Sequence, residues 1–189
     1  MRERAARLAP LGKRVCLIGP ECTGKTTLAE RLADHFGVAW VAEFAREYAQ
    51  QVGRLLTADD TEPIARGQMA LENAARQLTT DNLLILDTDL ISTAVYATHY
   101  YGICPEWIKT EARARKADLY LLTDVDVPWT IDDVRDSAAP REILHRVFAT
   151  TLATYGADFV AIRGDRETRF AAAVAAIASI GERGQAFDS

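Results

Sequence analysis

The sequence predicts an α/β fold in which five parallel strands form a sheet with helices on both faces. Strand-like apolar runs recur along the chain, and helical stretches separate them. These runs are continuously apolar, which is typical of strands buried on both faces. A glycine-bearing loop joins the first run to the first helix. Together these observations favour a parallel sheet over an antiparallel one.

The predicted strands are short apolar runs bounded by polar or turn-forming residues. They are Arg14–Ile18, Val38–Ala42, Leu83–Asp87, Leu119–Thr123 and Phe159–Ile162. After the first run, Leu28, Leu32 and Phe36 follow one another at four-residue spacing, which predicts an amphipathic helix that stops at Gly37. Further helices are predicted over Glu62–Leu78, Val147–Tyr155 and Arg169–Ile180.

Composition limits the classes of function. With 189 residues, 49% of them hydrophobic and 26% charged, the chain has the size and make-up of one globular domain. A net charge of −5 gives no global basic field for nucleic acid, and no apolar stretch has membrane-spanning length. The three cysteines show neither metal nor disulfide spacing. We therefore expect a cytoplasmic protein without nucleic-acid or membrane partners, and the oligomeric state stays open.

The expected organisation is one domain with short flanking segments. We expect a basic N-terminal tail over residues 1–13, the domain itself over 14–180 and a frayed C-terminal tail over 181–189. A polar segment at about 130–145 lies between the fourth strand and the helix before the fifth strand. We expect this segment to form a small lid.

The loop after the first strand carries a phosphate-binding pattern. Gly19–Thr26 reads Gly-Pro-Glu-Cys-Thr-Gly-Lys-Thr, the G-x-x-x-x-G-K-[ST] signature of P-loop NTPases, with a strand before it and a helix after it. Gly19 and Gly24 permit backbone conformations that turn N–H groups inward, and the helix start adds a positive dipole end. Lys25 is expected to reach the β- and γ-phosphates of ATP, and Thr26 to bind Mg²⁺.

The residues expected to bind nucleotide share this loop or the turn after the last strand, where the adenine would lie. They are Gly19, Pro20, Glu21, Cys22, Thr23, Gly24, Lys25, Thr26, Thr27 and Gly164.

Acidic residues follow most of the predicted strands, where ligands of open parallel sheets collect. Leu83–Asp87 is an apolar strand that ends in aspartate, the Walker B shape, so Asp87 is expected to hold Mg²⁺ opposite Thr26. Asp89 has two readings: it contacts the substrate, or it caps the helix that starts at Leu90.

Glu43 and Arg46 follow the second strand and would face the acceptor of the phosphoryl group. Glu43 can accept the proton of an attacking hydroxyl, and Arg46 can hold a substrate oxygen or phosphate. A surface salt bridge is the alternative explanation. Glu43 and Asp87 both remain candidates for the general base.

The lid segment supplies further candidates. Arg135 and Arg141 would close over the transferring phosphoryl group, as lid arginines do in small P-loop kinases. A solvated loop is the alternative. Tyr48 and Trp129 lie near strand ends and can stack on a flat substrate ring, to which a cationic ring would add a further attraction; core packing is the alternative.

The order of these motifs resembles the NadR-type nicotinamide riboside kinase domain. The resemblance rests on the phosphate loop with Thr27, Glu43–Tyr48, Gln68–Glu72, Leu86–Asp89 and Asp126–Trp129, and it covers most of the chain. It implies transfer of the ATP γ-phosphoryl group to the 5′-hydroxyl of nicotinamide riboside, in a nucleoside-kinase-like fold with a lid. The chain departs from the family at Asp133, where a glycine is usual, and that change bears on lid geometry and acceptor choice.

Two other functions remain open at this stage. A kinase for another nucleoside or small acceptor would share the same residues. A nucleotide-switched regulatory ATPase would hydrolyse ATP slowly and signal by changing partners. Lid arginines within the same chain favour catalysis over switching.

Overall fold

A computed structural model of the chain describes residues 12–78, 82–126 and 141–185. The strands are β1 (Lys13–Ile18), β2 (Trp40–Val41), β3 (Leu83–Asp87), β4 (Leu119–Thr123) and β5 (Phe159–Ile162). The helices are α1 (Lys25–Phe36), α2 (Phe44–Val52), α3 (Thr61–Leu78), α4 (Leu90–Tyr101), α5 (Glu106–Ala114), α6 (Arg141–Thr154) and α7 (Arg166–Gln185), with a 3₁₀ helix at Ala58–Asp60 before α3. Within the described ranges, no helix is both long enough and apolar enough to cross a bilayer.

The strands form one parallel sheet in the order β2-β3-β1-β4-β5. β1 lies at the centre, and its register places Leu17 beside Asp87 of β3 and Leu121 of β4. The predicted fold class, a P-loop α/β fold with a five-stranded parallel sheet, is confirmed.

Side chains of each central strand alternate between two hydrophobic cores. Val15 and Leu17 of β1 point to one face, where Leu32 of α1 and Ile177 of α7 cover them. Cys16 and Ile18 point to the other face, which α3, α4, α5 and α6 cover. Burial on both faces explains why β1, β3 and β4 read as nearly continuous apolar runs, whereas the edge strand β5 is apolar but largely exposed. Helices on both faces are therefore confirmed.

Several boundaries differ from the sequence-based ones. β2 is only Trp40–Val41, because the chain turns away after two pairings with β3 at the sheet edge. β1 begins at Lys13, within the segment expected to be tail. α6 begins at Arg141, so residues 141–145 form its first turns and not the end of a lid. α7 continues beyond Ile180 to Gln185, so the expected tail begins in helix. Residues 130–140 of the expected lid lie outside the described residues.

The sheet topology creates a crevice at the carboxyl end of β1. β1 is followed by α1 on one face, whereas its neighbours β3 and β4 are followed by helices on the opposite face. The loops that leave these strands therefore diverge. Ligands of open α/β sheets bind at such a switch point, and the phosphate loop lies there.

Gly67 of α3 lies directly under the Phe44 ring of α2, and a Cβ at this position would overlap the ring. We expect Gly67→Ala to lower the free energy of unfolding by about 1–3 kcal/mol, because the ring must leave its place. Urea denaturation measures this change. The double variant Gly67→Ala/Phe44→Leu removes the overlap. Its loss in the free energy of unfolding should therefore be smaller than the sum of the losses in the two single variants. Strict additivity would contradict the overlap.

Candidate active site

The phosphate loop between β1 and α1 uses residues with positive φ. Gly19 (φ 141°), Cys22 (φ 54°) and Gly24 (φ 81°) all lie on the positive side. At Gly19 a Cβ would stand 2.6 Å from Thr123 Oγ1 and 2.8 Å from the Thr123 carbonyl oxygen, so β4 leaves room only for glycine. The first glycine of the motif is therefore required by packing as well as by backbone conformation.

Carbonyls of this region accept hydrogen bonds from side chains, and four of these bonds come from β4, α1, α6 and α7. The bonds run from Thr123 Oγ1 to Ile18 O (3.2 Å), from Lys25 Nζ to Pro20 O (2.7 Å), from Arg141 Nη2 to Cys22 O (3.3 Å) and from Arg169 Nη1 to Thr23 O (2.8 Å). In a trans peptide the C=O and the next N–H point in opposite directions, and no peptide bond described is cis. Each bond therefore directs the following N–H away from its donor, which is how an anion-binding loop exposes its amides.

Thr26 and Asp87 join the phosphate loop to β3. Thr26 Oγ1 donates to Asp87 Oδ2 at 2.6 Å. Asp87 is 1% exposed, and its Oδ1 has no hydrogen-bond partner among the described residues. An unpartnered buried carboxylate oxygen beside a hydroxyl suits Mg²⁺, which binds through one or two protein ligands and keeps waters and phosphates for the rest. The described residues contain no cluster of three His, Cys, Asp or Glu side chains for an all-protein cage.

Electrostatics at Asp87 reflect this arrangement. Burial raises the pKa of the Asp87 carboxyl, while the Lys25 ammonium and the Thr26 hydroxyl act to lower it. Glu43 raises it further and Arg46 lowers it. Residues from β3, α1 and the start of α2 are thus close enough to share one electrostatic environment, as predicted from their positions after strands.

Gln68 of α3 connects the start of α2 to the turn after β3. It is 3% exposed; its Oε1 accepts from Phe44 N at 2.9 Å and its Nε2 donates to Thr88 O at 3.4 Å. The residue next to Glu43 is thereby tied to the turn after Asp87. Glu43 Oε2 lies 3.9 Å from Arg46 Nη2, so the surface ion pair expected as the alternative is present, in a loose form that leaves both groups near Asp87.

Asp89 has a structural role. Its Oδ1 accepts from Ile91 N at 2.9 Å, which caps α4, and its Oδ2 accepts from Tyr120 OH at 2.6 Å. Asp89 is 5% exposed. Because both carboxylate oxygens are engaged inside the fold, the substrate contact expected as one reading of Asp89 is replaced by the capping reading.

Tyr48 also uses its polar atom within the fold. Its hydroxyl donates to Asp60 Oδ1 at 3.0 Å, and Arg54 holds both oxygens of the same carboxylate. The Arg54 guanidinium is the main cause that lowers the pKa of Asp60. Only the ring of Tyr48 is left for stacking on a substrate.

The remaining expected site residues divide into two groups. Arg141 reaches the phosphate loop through Cys22 O, and its buried Nε has no hydrogen-bond partner among the described residues. Gly164 follows β5 with φ 94°, and its N–H donates to Asp126 Oδ2 at 2.6 Å. Thr27 lies exposed in the first turn of α1. Trp129 and Arg135 lie outside the described residues.

Three residues make contacts at or near the site that their spacing in the sequence does not indicate. Arg169 of α7 donates to Thr23 O, and Tyr96 OH donates to Gly19 O at 3.1 Å, so both contact the phosphate loop. Gln68 lies in one of the segments that carry the family resemblance, and it contacts Phe44 and Thr88 beside the loop. Tertiary packing brings all three to these contacts from distant parts of the chain.

Comparison with protein families assigns the chain to one of them. A family model described as an AAA domain matches residues 14–169. The chain belongs to this family. It is also similar to the trifunctional NAD biosynthesis/regulator protein NadR of Salmonella typhimurium, at 25% identity over 180 residues that cover 91% of this chain and 44% of that protein. It thus spans less than half the length of this relative.

Solved structures agree with the family assignment. A crystal structure of NadR protein in complex with NR matches with a TM-score of 0.74 at 25% identity, covering 88% of this chain and 49% of that one. A complex of NadR with NAD and AMP-PNP matches with a TM-score of 0.73 at 26% identity, over 88% and 49% of the two chains. A thymidylate kinase from Ehrlichia chaffeensis, with a TM-score of 0.64 at 14% identity over 89% and 100%, shares the fold alone. The resemblance to the NadR-type domain and the P-loop kinase fold are confirmed.

Glu72 lies behind the site in α3, 2% exposed, with Oε2 3.4 Å from Arg115 Nη2. Burial, with the Asp89 carboxylate adding to it, raises the pKa of Glu72 from 4.5 to about 7, against the attraction of Arg115. The folded chain therefore binds this proton more tightly than the unfolded chain. Protonation of Glu72 therefore stabilises the folded chain. This contribution to the free energy of unfolding is fully present below about pH 4.5 and is lost as the pH rises through about 7.

We expect Glu72→Gln to remove this pH dependence. Relative to the wild type, the free energy of unfolding of the variant should rise by about 1–3 kcal/mol between pH 5 and pH 8. Urea denaturation at several pH values measures the difference. Glu62→Gln is the matched control, since Glu62 is exposed on the same helix and pairs with Arg66. Parallel curves for Glu72→Gln and the wild type would contradict the assignment.

Proposed function

We propose that the protein is an ATP-dependent kinase that phosphorylates the 5′-hydroxyl of nicotinamide riboside and produces nicotinamide mononucleotide. The observation that carries the proposal is the 2.6 Å bond from Thr26 to Asp87, with the Glu43 and Arg46 side chains beside it. This bond joins the loop after β1 to the end of β3, and it supports a phosphate site with the Glu43 carboxylate on its acceptor side. The similar NadR structures, one with NR and one with NAD and AMP-PNP, support this choice of substrates.

In this proposal the protein contributes positioning and charge stabilisation. The triphosphate binds along the loop amides, Lys25 contacts the β- and γ-phosphates, and Gly164 lies on the adenine side. Arg141, already at the loop, and Arg135 would neutralise charge on the equatorial oxygens of the transferring group. Thr26 and Asp87 are the residues that would hold Mg²⁺, which supplies charge neutralisation at the phosphates when bound.

The acceptor hydroxyl needs a group that takes its proton. Glu43 is the better placed candidate. Asp87 Oδ2 already accepts a hydrogen bond from Thr26, and Asp87 is too buried to take a proton from a hydroxyl that enters from solvent. The Glu43 side chain is 15% exposed and lies where α2 begins. Arg46 would hold a ribose or ring substituent, and the rings of Tyr48 and Trp129 would stack on the nicotinamide.

The acidic surroundings also bear on the type of acceptor. Glu43 and Asp87 lie on the acceptor side, and an acceptor that already carries a phosphate would be repelled by them. A nucleoside is therefore favoured over a nucleoside monophosphate. A panel of nucleosides and nucleoside monophosphates, scored by ADP release, tests this preference directly.

We expect nicotinamide riboside to stimulate ADP release from Mg-ATP, and Lys25→Ala to cut that rate by at least about a hundredfold through loss of a preorganised charge. Lys13→Ala is the matched control, since Lys13 pairs with Asp118 at the opposite end of β1. A coupled assay measures both rates. Signal no higher than the ATP-only blank would remove this acceptor, and near-normal turnover by Lys25→Ala would remove the assigned phosphate site.

We expect Glu43→Gln to lower kcat by about 10²- to 10⁴-fold, as loss of a general base does, while KM for ATP changes little. Glu47→Gln is the control on the same helix, because Glu47 is exposed and bonds only to Gln51 among the contacts described. Steady-state kinetics with varied ATP at saturating acceptor separate kcat from the KM for ATP. An unchanged kcat would exclude Glu43 and leave Asp87 as the base.

A further inference from the structure

One buried guanidinium joins the loops that follow three different strands. Arg169 of α7 is 5% exposed. Its Nη1 donates to Thr23 O in the phosphate loop at 2.8 Å, its Nη2 donates to Asp124 O after β4 at 2.9 Å, and its Nε donates to Gly164 O after β5 at 2.8 Å. These loops lie at adjacent strand ends, so one side chain fixes their relative positions.

A carboxylate completes the arrangement. Asp126 Oδ1 accepts from Arg169 Nη2, and Asp126 Oδ2 accepts from Gly164 N at 2.6 Å. The helix itself is fixed at the same place, because Arg169 N donates to Asp165 O at 2.9 Å. The guanidinium therefore has a carbonyl or carboxylate acceptor on each of its three nitrogens, and its orientation is fully determined.

The consequence for the phosphate loop follows from the Thr23–Gly24 peptide. Because Arg169 holds the carbonyl of this peptide, the Gly24 N–H points away from Arg169 and toward the opposite side of the loop. Gly24 has φ 81°, and a Cβ built there would meet no atom within 4 Å, so side-chain packing at Gly24 does not hold this peptide. The buried Thr23 side chain, bonded to Pro20 O and Thr123 Oγ1, fixes one end of the peptide, and Arg169 holds its carbonyl.

We infer that Arg169 is a positioning residue for triphosphate binding. It acts by fixing the Thr23–Gly24 peptide and by joining that peptide to the loops after β4 and β5. It touches no reacting atom itself. The inference rests on the proposed binding of ATP at this loop, and it concerns phosphate affinity, not the identity of the acceptor.

The test measures binding of Mg-ATP and of Mg-tripolyphosphate to the full chain by titration calorimetry. We expect Arg169→Lys to weaken both ligands by a similar factor of about ten, since lysine keeps the charge but cannot hold three acceptors in one plane. Arg166→Lys, an exposed position on the same helix, should leave both affinities unchanged. Steady-state kinetics should show a raised KM for ATP and a kcat within about threefold of the wild type.

A second variant keeps the inference testable if Arg169→Lys does not fold. Asp126 accepts hydrogen bonds from Arg169 and Gly164 through its two carboxylate oxygens, and Asp126→Asn keeps only one of these oxygens. We expect this variant to bind both Mg-ATP and Mg-tripolyphosphate about threefold more weakly. Unchanged affinities in the folded variants, with only a lower Tm, would overturn the inference and leave Arg169 a purely stabilising residue. Weaker binding of ATP alone would overturn it too, because the effect would then arise on the base side.

These outcomes are separate from the test of the proposed function. Failure of nicotinamide riboside to stimulate ADP release would remove the acceptor while leaving the two binding titrations interpretable. A wild-type chain that bound neither Mg-ATP nor Mg-tripolyphosphate would overturn the phosphate site and the role of Arg169 together.

Discussion

The rigid peptide plane is the constraint on which the phosphate loop depends. The two glycines of the loop leave its backbone weakly restrained, so the directions of its amides depend on what holds the carbonyl of each peptide. Here the holders come from β4, α6 and α7 as well as from α1. The anion-binding shape is therefore a product of the whole sheet and its helices, and the motif alone does not determine it.

The same topology explains why carboxylates concentrate where a polyanion would bind. Parallel strands bring their carboxyl ends to one edge, and β3 lies directly beside β1. Asp87 ends β3 and Asp89 lies two residues later, yet they differ in role because of what surrounds them. Asp89 meets a helix start and a tyrosine hydroxyl that satisfy it, whereas Asp87 meets the first turn of α1 and keeps one oxygen unpartnered among the described residues.

Sequence patterns predicted the features that depend on neighbouring residues. The phosphate loop, the apolar strands and the Walker B aspartate could be read from the sequence, because each depends on neighbouring residues and on periodicity. The end of β2 could not be predicted, because it depends on where its pairing with β3 stops. The start of α6 could not be predicted either, because no local pattern marks where the polar segment gives way to the helix. Arg169 and Gln68 also escaped prediction. Their importance arises from contacts with Thr23 and Phe44, which are far away in the chain.

The electrostatic state of Asp87 links phosphate binding to cation binding. Burial raises the pKa of its carboxyl, so the charged form is held at a free-energy cost that Lys25, Thr26 and Arg46 reduce. A bare triphosphate approaching this carboxylate would add to the cost, because like charges would face each other in a site of low exposure. A triphosphate that arrives with a divalent cation would instead supply the missing partner for the unpartnered oxygen. Under the proposed function, Asp87, a residue outside the phosphate loop, would therefore favour metal-bound over metal-free nucleotide.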